Sequence, residues 1–175
     1  NIWDLTYQNV NWSSLLYGQA ELLEVIDANT TGVTKMDSML RGCTKLTSVS
    51  LFDTSSVINM SEMFYKCASL TTIPLFDTSS VTNMTYMFAH CDTLTSVPLF
   101  DTSRVTNMNY MFQYCWALTS IPLLDTSKVT GMIMTFAGCA LTSVPLFDTS
   151  SVVDFGLLRP KCEREIREIK KQEGE

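Results

Sequence analysis

Histidine occurs once in this 175-residue chain, as His90, and charged residues make up only 17% of it. With one histidine and no C-x-x-C pair, the usual ligand sets for zinc are missing. Basic runs are missing too, and the formal net charge is −6. Nothing in the sequence is suited to tracking a phosphate backbone, so no nucleic-acid partner is expected. No apolar stretch approaches the ~20 residues of a membrane-spanning helix. The chain starts at Asn1 without an initiator methionine, signal peptide or sorting motif, the expectation for a processed chain or a piece of a longer one. What is present is an ordered composition, 46% hydrophobic, in a length that can bury one sizeable core.

Charge is unevenly placed. Of the 12 Lys and Arg, six lie between Arg159 and Glu175, beside five of the 18 acids. Residues 1–158 therefore carry six bases against thirteen acids, a net of −7, and the tail is a different kind of segment.

Self-similarity organises the rest. Cysteines stand at Cys43, Cys67, Cys91, Cys115 and Cys139, each 24 residues after the last, and then at Cys162 after 23. Asp-Thr-Ser triplets begin at Asp53, Asp77, Asp101, Asp125 and Asp148. The unit reads C-x-x-L-T-x-[VI]-x-L-F-D-T-S-x-V-x-N-M-x-x-M-F-x-x, and it decays at both ends, where Gln19 takes the cysteine position and Asn29 the aspartate position. A unit this short cannot enclose a core, so neighbours must stack and share one. The expected architecture is an α/β repeat solenoid, leucine-rich-repeat-like, with ~24-residue coils over residues 1–162.

Each coil offers two segments. In "LTSVSLF" and its copies, Leu46, Val49 and Leu51 at i, i+3 and i+5 have the spacing of a short strand, giving a parallel sheet on one side. In the following segment Val57, Met60, Met63, Phe64 and Cys67 step by three and four, the spacing of a short helical or 3₁₀ turn; Val57–Met60 also fits a second short strand. Residues 163–175, "EREIREIKKQEGE", form either an amphipathic helix capping the last coil or a charged tail, and Trp3 and Leu5 are available at the other end.

The stretch "PLFDTS" resembles the active-site signature of aspartic peptidases, which set two carboxylates at one site. Here five stand in line, one coil apart, which is no catalytic pair. Asp followed two residues on by Ser is instead the pattern of an Asx-turn, so Asp53, Asp77, Asp101, Asp125 and Asp148 are read as a row of structural corners. A calcium-collecting row is the alternative, without the Gly-Asp patterns that usually accompany it. Stacked cysteines point one way and cannot bridge, so Cys43, Cys67, Cys91, Cys115, Cys139 and Cys162 are expected as buried thiols.

The recurring Met and Phe residues are expected in the core. Asn59, Asn83 and Asn107 suggest a polar ladder between coils, and Asn11, Asn29, Asn59 and Asn83 match glycosylation acceptors. His90 shares its place in the repeat with Lys66, Tyr114 and Gly138, as a surface position does. Outward positions on the strand side are Ser48, Thr72, Ser96, Ser120 and Ser143, then Pro74, Pro98, Pro122 and Pro145, the candidate partner-facing row. Proline removes a ladder donor, so the strand is expected to end or bend there. The row Phe52, Phe76, Phe100, Leu124 and Phe147 then either turns inward or forms an exposed apolar stripe.

The string "FDTSSVTNMTYMFAHC", Phe76 to Cys91, resembles the BspA-like leucine-rich repeats of bacterial surface proteins. That resemblance implies a stacked solenoid exposed at a cell surface, active in adhesion and partner binding without catalysis. Residues and resemblance together lead to a non-enzymatic extracellular module, needing no cofactor, that meets a protein or glycan partner. The other reading is a self-associating structural subunit of a filament, virion or surface layer, meeting copies of itself.

Overall fold

A computed structural model of the protein describes residues 2–4, 11–26 and 29–153. The 24-residue period becomes a stack of coils held by parallel backbone pairing. Asn11, Lys35, Asn59, Asn83, Asn107 and Gly131 are bridged in succession, each to its equivalent in the next coil. The N–H groups that follow them, from Trp12 to Met108, donate to the carbonyls of the next coil at 2.8–3.1 Å.

The core fills the stack as rows. Cysteine, methionine, leucine, valine and phenylalanine side chains at equivalent positions are buried from Trp12 to Val152. Phe64, Phe88, Phe112 and Phe136 stack at centroid separations of 5.6–5.9 Å with planes within 9°. Phe52, Phe76, Phe100, Leu124 and Phe147 also face inward.

Two expectations for the coil change. Among the described residues no helix forms where Met60, Met63, Phe64 and Cys67 step by three and four; the segment is a run of tight turns. Alternate amides divide their bonds. Met63, Tyr65 and Cys67 donate three residues back within the coil, while Glu62, Phe64 and Lys66 donate to Thr85, Met87 and Ala89 of the next. A helix would use every N–H internally, and the stack needs half of them along its axis. Left-handed residues at Glu62 and Lys66, φ 57° and 61°, break the helical path. The apolar spacing is thus met by turns.

The sheet is also smaller than expected. Strands β1 (Ile2–Asp4), β2 (Glu24–Ile26) and β3 (Ser48–Val49) pair in parallel in the order β1-β2-β3. There Thr47 N–H bonds the Leu23 carbonyl at 3.0 Å and Ser50 N–H bonds Val25 at 2.9 Å. In the next four coils Pro74, Pro98, Pro122 and Pro145 occupy the position of Ser50 and have no N–H to give. What persists is one long bond from Thr71 to Thr47, Thr119 to Thr95 and Thr142 to Thr119, at 3.4–3.5 Å.

A side-chain parity also reverses, in the Ser50 coil (Leu51 exposed, Phe52 buried) as in the proline coils. Phe76 N–H bonds the Pro74 carbonyl and Phe100 N–H the Pro98 carbonyl, both at 3.0 Å, an i to i+2 turn centred on leucine. Leucine is expelled and phenylalanine turned in. The leucine at i+5, expected inward, is therefore outside.

The segment 163–175, Cys162 and Leu5 lie outside the described residues.

Candidate functional site

The corner of each coil is built from Asp-Thr-Ser. Ser55, Ser79, Ser103, Ser127 and Ser150 N–H donate to the Oδ1 of the aspartate two residues before, at 2.9–3.0 Å. These bonds, the serine hydroxyl first and the backbone amide second, hold Asp53, Asp77, Asp101, Asp125 and Asp148 below the usual carboxylate range. The row is exposed and stays ionised at neutral pH. Among the described residues no group of three or more His, Cys, Asp or Glu converges as a metal site would require.

The threonine of the triplet does a job the aspartate does not. Thr30, Thr54, Thr78, Thr102 and Thr126 are buried, and each hydroxyl donates to the backbone carbonyl of the aspartate in the next coil at 2.5–2.8 Å. Inside, Cys43, Cys67, Cys91, Cys115 and Cys139 are buried thiols. Each Sγ–H donates to a carbonyl of the preceding coil, Leu16 through Phe112, at 3.0–3.2 Å. Burial pushes the Cys43 thiol up to about 11 and raises those of Cys67, Cys91 and Cys115 well above the ordinary thiol value, which keeps them protonated and unreactive. The asparagine side chains of Asn59, Asn83 and Asn107 accept N–H bonds from two residues on in their own coil, so the inter-coil ladder there is backbone.

Two surfaces remain for recognition. The first is the proline side. Leu51, Leu75, Leu99, Leu123 and Leu146 are 59–70% exposed and in register, an apolar ladder along the stack. Pro74, Pro98, Pro122 and Pro145 beside it are half-buried; Thr72, Ser96, Ser120 and Ser143 are exposed and Ser48 is half-buried. Leu51, Leu75, Asp53 and Asp77 line one depression of about 380 Å³, so in these two coils the exposed leucines and the carboxylates border the same depression.

The second surface is on the turn side and is aromatic. Tyr86 and Tyr110 stack at 4.4 Å with planes 4° apart, and Tyr65 meets Tyr86 edge-on at 5.9 Å. His90 is half-buried and lies 5.6 Å from Tyr65 and 4.9 Å from Tyr114, which in turn packs 5.4 Å from Trp116. Arg41 pairs with Glu62 and sits 4.5 Å over the Tyr65 ring. Desolvation and the neighbouring Tyr110 raise the Tyr86 phenol, leaving it a neutral donor. A depression of about 330 Å³ opens between Arg41, Glu62, Tyr65, Tyr86 and Gln113.

This cluster falls at positions the repeat formula leaves blank, which is why the period hides it. The signal available in the sequence was the concentration of aromatics in those blanks, at Tyr65, Tyr86, Tyr110, Tyr114 and Trp116.

Known proteins provide two comparisons. The model of a family described as "Mycoplasma protein of unknown function, DUF285" matches residues 10–115 and 90–164. Among solved structures, a leucine-rich repeat protein of T. pallidum (TpLRR) is similar at a TM-score of 0.46 and 19% identity, over 90% of this chain and 74% of that one. None of the curated proteins matches.

Proposed function

This chain belongs to the DUF285 family, and on that premise we propose that it is a non-enzymatic binding module displayed at a cell surface. The observation that carries the reading is the ladder of five exposed leucines, Leu51 to Leu146. Exposed apolar stripes of this regularity mark interaction surfaces. The rows Ser48, Thr72, Ser96, Ser120, Ser143 and Pro74, Pro98, Pro122, Pro145 flank it as the adaptable rim. The ionised aspartates beside the leucines favour a protein partner whose apolar docking face is edged by Lys or Arg. Surface display is supported by the BspA-like resemblance of Phe76–Cys91. Among the described residues no helix is long and apolar enough to cross a membrane.

Self-association is the second reading, favoured by the same ladder, since two copies could cover each other's leucines. Like-charged aspartate rows would then approach one another, which opposes it. Size-exclusion chromatography with light scattering separates the two: a stable monomer supports partner binding, and large concentration-dependent oligomers support the subunit. For the leading reading, beads coated with the chain are assayed for adhesion to cultured cells. Combined Leu75→Ser, Leu99→Ser and Leu123→Ser should abolish adhesion without lowering the melting temperature. Full adhesion by that variant would overturn the reading.

A further inference from the structure

We propose that the aromatic surface on the turn side is a binding site for a neutral oligosaccharide, separate from the leucine ladder. Three observations bear on it.

The first is the aromatic gathering itself. Tyr65, Tyr86, Tyr110, Tyr114 and Trp116 come from four consecutive coils and share one face, with Trp116 52% exposed. The C–H faces of pyranose rings pack on the electron-rich faces of such side chains.

The second is the backbone that carries the rings. Tyr86, His90, Tyr110 and Tyr114 all sit in the left-handed region, with φ of 55–61°. That conformation is free of strain for glycine, and in the row of His90 and Tyr114 the residues Gly18, Gly42 and Gly138 use it so. Ser14, Ser38, Glu62, Lys66 and Met134 share the conformation, so it belongs to the repeat; the central coils use it to carry rings, which holds His90 and Tyr114 in one row and Tyr86 and Tyr110 in the other.

The third is the chemistry of the adjoining depression. Arg41 and Glu62 neutralise each other, and two phenols and the Gln113 amide complete a wall of mixed donors and acceptors. Its volume of about 330 Å³ lies in the range of small-molecule sites, roughly 300–1,000 Å³. Such a wall suits the hydroxyls of a sugar. It offers an anionic polysaccharide little, given the net −7 of residues 1–158. A proline-rich peptide needs grooves between aromatic rings. Tyr86 and Tyr110 are in face-to-face contact and leave none between them.

The test is calorimetric titration of the chain with cello-, laminari-, chito- and mannohexaose, with decaproline as the competing probe. Saturable binding of at least one hexaose is expected, weakened at least tenfold by Trp116→Ala and by Tyr114→Gly. Tyr114→Gly, which relieves the left-handed strain, is expected to keep the melting temperature within a few degrees. Leu75→Ser with Leu99→Ser should leave sugar binding unchanged, so the two surfaces fail separately. Absence of binding to every hexaose, binding that survives both aromatic variants, or binding of decaproline alone would each overturn the proposal.

Discussion

The two flanks of the solenoid are built from the same repeat and fastened differently. On the turn side each coil gives three N–H groups to the next, as Glu62, Phe64 and Lys66 do, at 2.6–3.0 Å along the stack. On the opposite flank the first coils pair at 2.9–3.0 Å, and in the proline coils what remains at that position is a bond of 3.4–3.5 Å in three of the four. The turn flank therefore carries the cohesion of the stack. The proline flank is held from within, by the buried threonine hydroxyls and the inward phenylalanines, and its outer face is free to display leucine. Structure and display are separated onto different sides.

The sharpest way to break that contrast is in the core. Phe88→Ala removes the ring between Phe64 and Phe112 and should cost about 3–5 kcal/mol in chemical denaturation. Leu99→Ala, on the displayed row, should stay within about 0.5 kcal/mol. Equal losses would mean that the leucine ladder is structural.

Next in size is Thr102→Val, which leaves the Asp125 carbonyl without its buried donor. A loss of about 1–3 kcal/mol is expected. A loss near zero would show that the proline flank does not depend on the threonines.

Acid should have a smaller, graded effect. The corner aspartates have folded pKa values below their unfolded ones, because serine hydroxyls and amides bond the ionised form. Their contribution is present above the ordinary value of about 3.9 and is lost as pH falls through the lowered folded value. Melting temperature should thus decline below pH ~4, and Asp77→Asn with Asp101→Asn should flatten the decline while leaving partner binding intact. An unchanged slope in that variant would remove the corners from the account.

Smallest is Pro98→Ser, which restores the donor that Ser50 uses. A hydrogen bond worth about 0.5–1.5 kcal/mol is offset by the ~0.4–1 kcal/mol that proline contributes by restricting the unfolded chain. The melting temperature should barely move. A large rise would mean that proline imposes a real cost on this flank.

Much of this was legible in the sequence. The 24-residue period and the buried rows of Met60, Phe64 and Cys67 followed from spacing alone, because a stack has no other way to cover them. Proline's interruption of the sheet followed from its missing donor. The helical turn was misread because steps of three and four also fit turns interrupted at left-handed residues such as Lys66, and φ is not written in hydrophobic periodicity. The leucines at i+5, Leu51 and its copies, are expected inward only if strand alternation continues past Val49, and it breaks there in every coil, with Ser50 as with proline. The aromatic surface was invisible to a repeat formula, since recognition residues occupy the positions where the copies differ.

Residue-resolved amide hydrogen exchange tests the central division most directly. The account predicts that the turn-flank amides of Phe64, Phe88 and Phe112 exchange only with global unfolding, while those of Ser96, Leu99, Ser120 and Leu123 exchange orders of magnitude faster. Comparable protection on both flanks would contradict it.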